Sequence, residues 1–436
     1  MKLLISLLCA LFLSSCTFSI SAEELLSPPK MSHQQESIYR ALEDAVGSSS
    51  FKFKYPRRGE NLSAVILKDI DFDGVEEGFA FYELQTGSSV STWISFLRQK
   101  DGVWQSVREI PAASSDIDMV SFAKITDSNR ENIVVGWAIP GEEYSSCCIY
   151  SFDGNDAKKD HDVEFIYTDM LLENVDENEL NEIILATKTK TRSSLRLVKF
   201  RAGKIVTSGL LSMPENIKEY KQLKFGKLTD NLNCIFADVL LTSGNTETKL
   251  VAVENSTILE VDSEEVGIYE SFVRQKSPFV VSDVNSDGIL DIPVTSLLPG
   301  YEDSKENDRL YITSFVTLKN GETEYIKRVI YNEEDNYYLE IPKSWGNSVT
   351  VKKQSDTGEW RFYIYNGSEN VAEILRINAV DDNEYQDKLQ IHDYKLLSEV
   401  GSKRYVCYIP TEIYPGYTMS FEELSQAFHV GSDINR

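Results

Sequence analysis

Polar and apolar stretches repeat along the middle of the chain. From about residue 50 to residue 330, a polar, acid-rich loop followed by a short apolar strand occurs five times. The loops begin at residues 69, 124, 174, 227 and 283, so successive starts differ by 55, 50, 53 and 56 residues. A nearly constant period of this length indicates one structural unit copied five times.

Hairpin signals fall roughly midway through these units. Four dipeptides lie between strand-like runs: Asp101-Gly102, Asp153-Gly154, Ala202-Gly203 and Asn320-Gly321. Each unit is therefore predicted as loop, strands, tight turn and strand. About four short strands per 50 residues is the content of a β-propeller blade, a small sheet that packs on its neighbours and is not stable alone. A sandwich built of β repeats is the alternative.

The pattern before the repeats predicts a helix. Ser32 and Gln35 fit a capping box, and Gly47 suits the helix end. Four apolar residues share one face of this helix: Ile38, Tyr39, Leu42 and Val46. We expect that face to pack on the repeats, so residues 32–331 form one unit of helix and propeller.

The repeat stops near Tyr331, and residues 332–436 are predicted to form a small C-terminal α+β domain. Strand-like runs lie at 347–352, 360–365 and 374–380. A late helix follows Ser420, whose capping partner is Glu423. Phe421, Leu424 and Phe428 are expected on one face of that helix. Two further propeller blades are the alternative for this region.

The first residues have the pattern of a secretory signal peptide. Lys2 precedes an apolar run that starts at Leu3 and ends in small residues. The run is too short to span a bilayer, which takes about 20 residues. The segment Leu13-Ser14-Ser15-Cys16 resembles a bacterial lipobox, with ordinary cleavage near Ala22 as the alternative. The resemblance implies a signal peptide at 1–15, lipid attachment at Cys16 and a lipidated tether at 16–31.

Composition and charge narrow the class of protein. The chain is 42% hydrophobic and 11% aromatic, which is typical of a globular protein. Its net charge of −25 argues against a nucleic-acid partner and against binding to anionic lipid headgroups. Cysteine is too sparse for a disulfide scaffold, and the adjacent Cys147 and Cys148 are predicted to be two buried thiols on a strand.

The first and last loops carry oxygen-bearing side chains at alternate positions. Calcium takes six to eight oxygen ligands, and alternate residues of a tight loop can turn their carboxylates inward together. The candidate ligands in the first loop are Asp69, Asp71, Asp73, the Val75 carbonyl and Glu77. Those in the last loop are Asp283, Asn285, Asp287, the Ile289 carbonyl and Asp291.

Glycine stands at the sharp turn of both loops, as Gly74 and Gly288. An EF-hand would need an acid at position twelve, where Ala80 and Val294 stand instead. Both loops are predicted to bind Ca²⁺, and plain turns are the alternative. The loop at Asn174 is undecided, and the loops at Lys124 and Lys227 have lost most ligands, so we expect them to be structural only.

These loops and strands resemble the FG-GAP or VCBS-type repeats of bacterial proteins, which have short Asp-x-Asp-x-Asp-Gly-x-x-Asp/Glu loops. Phe225-Gly226, just before the fourth loop, matches the Phe-Gly for which the first type is named. The resemblance covers about 280 residues and implies a mainly β fold, a calcium-binding β-propeller of about five to seven blades. Residues 339–345 resemble the opening of a small module that ends many secreted clostridial proteins and has no assigned chemistry.

Catalytic patterns are missing from the sequence. It has no Gly-x-Ser-x-Gly elbow, zinc-binding His-Glu-x-x-His or phosphate-binding Gly-rich loop, and its four histidines are predicted to lie on the surface. The sequence therefore predicts a non-enzymatic lipoprotein, anchored to the membrane by its N-terminal lipid, that binds an extracellular protein or carbohydrate. The alternative is an extracellular carbohydrate-active hydrolase, because two carboxylates brought together by the fold would suffice.

Overall fold

The computed structural model describes residues 33–47, 50–161, 164–254, 257–261, 272–319, 322–391 and 393–434. Cys16, the tether, Ser32 and the Asn320-Gly321 dipeptide lie outside these residues. Within them, every helix is too short or too polar to cross a membrane.

The fold is mainly β, as predicted, and the described residues form six antiparallel sheets in chain order. Sheet 1 contains β1 (Phe51–Phe53), β2 (Val65–Lys68), β3 (Glu77–Thr86), β4 (Ser89–Lys100) and β5 (Val103–Pro111). Sheet 2 contains β6 (Asp116–Asp127), β7 (Arg130–Ala138), β8 (Ser145–Phe152), β9 (Ala157–Lys159) and β10 (Phe165–Tyr167). Sheet 3 contains β11 (Asp169–Glu173), β12 (Glu182–Lys188), β13 (Ser193–Arg201) and β14 (Lys204–Met213).

The second half of the chain continues the series. Sheet 4 contains β15 (Ile217–Thr229), β16 (Leu232–Leu241), β17 (Thr246–Glu254), β18 (Thr257–Glu260) and β19 (Val273–Arg274). Sheet 5 contains β20 (Ile292–Leu297), β21 (Tyr311–Lys319), β22 (Glu322–Asn332), β23 (Tyr337–Glu340) and β29 (Phe428–Val430). Sheet 6 contains β24 (Val349–Lys353), β25 (Trp360–Tyr365), β26 (Asn370–Val380), β27 (Lys395–Val400) and β28 (Lys403–Tyr408).

Apolar clusters join each sheet to the next one along the chain. Representative pairs across the five junctions are Phe79 and Phe152, Ile149 and Leu185, Leu197 and Ile235, Phe236 and Val316, and Ile330 and Phe362. Strand β8 shows how one sheet serves two junctions, because Cys148 packs toward sheet 1 and Cys147 toward sheet 3. Both thiols are free and buried, which confirms the prediction for this pair.

Helices cover the outer faces of the first and last sheets. On sheet 1, α1 (His33–Val46) buries Ile38 and Leu42 against Tyr82 and Trp104. On sheet 6, α2 (Asp382–Ile391) packs Tyr385 beside Val406. Helix α1 was predicted and ends at Gly47, whose φ is 68°, whereas α2 was not predicted. In the part of the chain described, no apolar cluster joins sheet 6 to sheet 1.

Strand pairing crosses the predicted boundary at residues 331 and 332. Strands β22 and β23 form a hairpin in which the Asn332 Oδ1 accepts a hydrogen bond from the Asp335 backbone N–H (3.0 Å). This tight turn lies at the predicted boundary between the two units. Helix α3 (Phe421–Ala427) begins with the predicted capping box of Ser420 and Glu423. Placing Phe428 on that helix was wrong, because Phe428 pairs with Leu339 in sheet 5.

The predicted hairpins lie where expected. Asp101 and Gly102 join β4 to β5 with φ of 51° and 79°, and Ala202 and Gly203 join β13 to β14 with φ of 51° and 78°. Positive φ at both turn positions is the backbone form that matches strand twist. The strands on either side of 320 and 321 pair antiparallel. The surface prediction for histidine was wrong at His161, which is buried and whose Nε2 accepts a hydrogen bond from the Ile149 N–H (3.1 Å).

Candidate metal-binding loops

The first loop, residues 69–77 between β2 and β3, is closed by its own carboxylates. Asp69 accepts hydrogen bonds from the backbone N–H groups of Asp73 (3.2 Å) and Gly74 (2.8 Å). At the other end, the Glu77 Oε2 accepts one from the Ile70 N–H (3.1 Å). The first and ninth positions therefore hold the loop in a ring.

The last loop, residues 283–291 before β20, has the same bonds at the same positions. Asp283 accepts from the N–H groups of Asp287 (3.1 Å) and Gly288 (2.8 Å). The Asp291 Oδ2 accepts from the Val284 N–H (2.9 Å). Two loops separated by most of the repeat region thus share one hydrogen-bonding scheme.

The backbone of both loops turns in the left-handed region at the fourth and sixth positions. The φ values are 62° at Phe72 and 88° at Gly74 in the first loop, and 61° at Ser286 and 85° at Gly288 in the last. Glycine adopts this conformation freely, but an L-residue such as Phe72 pays about 1–2 kcal/mol. The shared shape therefore includes a costly conformation that the closing bonds must maintain.

Each loop buries a carboxylate oxygen that has no hydrogen-bond partner among the described residues. These atoms are the Asp71 Oδ1 and the Asp291 Oδ1. In the first loop, Asp69, Asp71 and Glu77 each bring one oxygen within 4.8 Å of the other two. Buried polar atoms are normally paired, so an unpaired acceptor among several acids is a place where a cation fits.

The pKa shifts of carboxyl groups in both loops also favour a bound cation. Burial raises the pKa of Glu77, the Ile70 N–H opposes that rise, and Asp71, Asp73 and Asp69 add to it. Burial also raises the pKa of Asp291 to about 6, opposed by the Val284 N–H and assisted by Asp287 and Asp283. Without a cation both acids resist ionisation, and a bound cation would favour the charged form.

Not all predicted ligands gather at one point. The Asp73 Oδ1 accepts a hydrogen bond from the Val75 N–H (2.8 Å), and Asp73 lies outside the three-acid group. In the last loop, the Asn285 amide donates to the Asp287 Oδ2 (2.9 Å), and the Asp287 Oδ1 accepts from the Ile289 N–H (2.9 Å). The neutral Asn285 at the third position explains why the last loop has no three-acid group among the described residues. The carbonyl ligands at Val75 and Ile289 stay predictions.

The loop at residues 174–182 retains part of the shape of the other two, although the Asn174 amide donates to the Asn178 carbonyl instead of accepting from the loop backbone. The Glu182 Oε2 accepts from the Val175 N–H (3.1 Å), and Glu177 at the fourth position has a φ of 58°. The Asn174 Oδ1 and Asp176 Oδ1 are buried without partners. The other Asp176 oxygen, Oδ2, accepts from the buried Lys199 ammonium (2.8 Å), so this loop has a positive charge from the protein itself.

The loops at Lys124 and Lys227 have become hairpin turns. In the first of these turns, the Asn132 Oδ1 accepts from the Ile125 N–H (3.1 Å), the same bond that Glu77 makes in its loop. The neutral amide makes this bond without a carboxylate charge. In the other turn, Thr229 pairs directly with Leu232.

The retained loops contact these turns across the sheet junctions. The Asn181 N–H donates to the Lys124 carbonyl (2.6 Å), and the Leu290 N–H donates to the Lys227 carbonyl (2.9 Å). The Arg130 guanidinium of sheet 2 pairs with the Asp71 Oδ2 (3.0 Å). Sequence reasoning missed Arg130 and Lys199, since only the fold shows which basic residue faces the third position.

No protein-family model matches the chain, and no curated protein matches it in sequence.

Proposed function

We propose that the chain is a non-enzymatic extracytoplasmic lipoprotein whose calcium-stabilised sheets form a scaffold that binds an extracellular protein or carbohydrate. The observation that carries the proposal is one loop shape, repeated at sheet junctions, with a buried acceptor oxygen unpaired in each copy. The membrane anchor rests on the lipobox resemblance at Cys16. The strongly negative net charge of −25 argues against a nucleic-acid ligand.

The donor set favours a hard divalent cation. Asp69, Asp71 and Glu77 offer only oxygens, which suit calcium and magnesium, while zinc and copper sites usually include nitrogen or sulfur ligands. Calcium tolerates irregular shells of six to eight oxygens, whereas magnesium requires a near-ideal octahedron. A loop with five candidate oxygen ligands and no octahedral arrangement among them therefore fits calcium better.

The sheet series supports a propeller-type arrangement. Sheets of four or five antiparallel strands pack face to face in chain order, as blades do. In a ring of six such blades, the seam would lie between sheets 1 and 6, where α1 and α2 cover the outer faces. The two helices would then fill the place where the first and last blades meet.

Metal binding is tested by the thermal stability of the full-length protein. Calcium should raise the melting temperature, because a ligand that binds only the folded chain stabilises it by about 2.7 kcal/mol at 100 times its dissociation constant. Magnesium should substitute poorly. If neither calcium nor a chelator changes the melting temperature, the loops are plain turns and the metal proposal is wrong.

One observation favours the hydrolase as a second candidate. Asp153 and Asp160 line the same cavity of about 600 Å³ at the end of sheet 2. Burial raises the pKa of Asp160, while the N–H groups of Asp156 and Asn155 lower that of Asp153. Carboxylates whose pKa values are pushed apart are typical of an acid and base pair.

Hydrolysis is tested on a panel of oligosaccharides. Cleavage that is lost in both Asp160→Asn and Asp153→Asn, with unchanged folding, would establish the hydrolase. The absence of cleavage, or cleavage that survives both substitutions, supports the binding scaffold instead.

A further inference from the structure

A cavity of about 630 Å³ lies against sheet 5, and none of its lining residues belongs to the metal loops. Strand β22 contributes Tyr325, Lys327 and Arg328 to its lining, and the segment after β23 contributes Lys343 and Asn347. The volume falls within the range of about 300–1,000 Å³ that is usual for small-molecule sites.

Arg328 in this cavity has no acidic partner in the described part of the chain. Its terminal nitrogens donate to the Gly346 carbonyl (2.6 Å) and the Asn347 Oδ1 (2.9 Å), and its Nε is buried without a hydrogen bond. Among the described residues, no carboxylate lies within ion-pair distance of the guanidinium. Burial lowers the pKa of Arg328, and only Tyr325 opposes this. An uncompensated, half-buried cation is unexpected in a chain with 69 acidic and 44 basic residues.

With its other charged residues included, the cavity lining still has a net positive charge. Lys327 pairs with Glu340 (3.4 Å), whereas Lys343 is exposed and has no ion pair within the described ranges. Three cations therefore face one carboxylate in the lining. The cavity repels further cations and favours a ligand with negative charge.

We propose that this cavity binds a small sugar that carries a carboxylate or phosphate group. A guanidinium pairs with either anion through two parallel hydrogen bonds, and Lys343 adds a second positive charge. The Tyr325 side chain is 52% exposed, so its ring offers an apolar face to the C–H groups of a sugar. Ser296 and Ser314 add hydroxyl groups to the lining. The inference rests on the proposed role as a receptor for an extracellular ligand and names its chemistry.

The test is calorimetric titration of the full-length protein with glucuronate, glucose 6-phosphate, glucose and inorganic phosphate. Both charged sugars should bind, with affinity that falls as salt is added, and glucose should not. Arg328→Met and Lys343→Gln should each weaken binding about tenfold or more, since each removes a charge-assisted contact. Because Lys343 is exposed, its variant keeps the test valid if Arg328→Met does not fold.

Arg98→Met is the matched control. Arg98 also donates to a carbonyl, that of Gly154 (3.0 Å), and to an asparagine, Asn155 (2.6 Å), and its Nε is likewise unpaired. It does not line this cavity, so its variant should bind like the parent. The inference is overturned if neither charged sugar binds, if glucose or free phosphate binds equally well, or if the three variants behave alike. Calcium-dependent melting that persists without sugar binding would overturn this inference and leave the metal proposal intact.

Discussion

Replacing Asp291 by asparagine should change stability in opposite directions with and without calcium. Asp291 is fully buried, one oxygen is bonded to the Val284 N–H and the other has no partner. An asparagine side chain has nearly the same shape, and its carbonyl oxygen can keep the Val284 bond. Because asparagine carries no charge, it binds a cation poorly. For the same reason it does not place an uncompensated buried charge in the metal-free fold.

The size of the effect follows from the pKa of Asp291, which burial raises from 3.8 to about 6. One pKa unit corresponds to about 1.4 kcal/mol, so ionising this carboxyl in the metal-free fold costs about 3 kcal/mol. Because the folded-state pKa of Asp291 lies above its unfolded value, the stability that this carboxyl contributes is fully present below about pH 4. It is lost as the pH rises through about 6. At pH 7 the metal-free parent bears the whole cost, and Asp291→Asn should be more stable by about 2–3 kcal/mol.

Denaturant unfolding of parent and variant, each in chelator and in calcium, measures this difference. In chelator the variant should be the more stable at pH 7, and the two should converge near pH 3.5. In calcium at pH 7 the order should reverse, because only the parent gains from the bound ion. Asp230→Asn is the control, since Asp230 is exposed in a turn that has lost the loop shape. A variant less stable than the parent in chelator at pH 7 would refute the reasoning.

Three further predictions concern other parts of the chain. Asp71→Ala should remove more of the calcium-dependent rise in melting temperature than Asn285→Ala, because Asp71 belongs to the three-acid group and Asn285 is neutral; equal losses would contradict this. Cys16→Ala should release the protein from the membrane fraction or leave it unprocessed, and undiminished fatty-acid labelling would show that the lipobox interpretation is wrong. Gly136→Ala should destabilise the fold by about 2–5 kcal/mol in denaturant unfolding, because the new Cβ would lie 1.7 Å from the Tyr167 hydroxyl; a loss below about 1 kcal/mol would contradict that packing.

Local chemistry explains which elements the sequence could predict. The Asp101-Gly102 hairpin follows from residues that favour positive φ, and the cap at Ser420 from a side chain that bonds its own helix. Helix α2 also has a local cap, because the Asp381 Oδ1 accepts from the N–H groups of Asn383 (2.9 Å) and Glu384 (3.0 Å). It was missed because its few apolar residues only find partners once sheet 6 exists. Phe428 was misplaced for the same reason, because its strand partner Leu339 is distant in sequence.

The candidate site also has one part that the sequence predicts and another that only the fold shows. Spacing within one loop predicts that Asp69 and Glu77 close the ring, since both bonds are local. Which basic residue pairs with the third position depends on the tertiary structure. Arg130 belongs to the next sheet, and Lys199 lies on a later strand of the same sheet. No pattern in the loop itself indicates either residue.

The alternation of loops and turns has a mechanical consequence under the proposed function. The last loop is bonded through the Leu290 N–H to a turn of sheet 4 that has lost the loop shape, and the first loop meets sheet 2 through Arg130. Removing calcium would therefore weaken the junctions near the two ends of the sheet series. The middle loop, at residues 174–182, carries the Lys199 ammonium on Asp176 and keeps a positive charge when calcium leaves. The first loop likewise keeps Arg130 on Asp71, whereas the last loop has no ion pair among the described residues, so loss of calcium should weaken the junction of sheets 4 and 5 most.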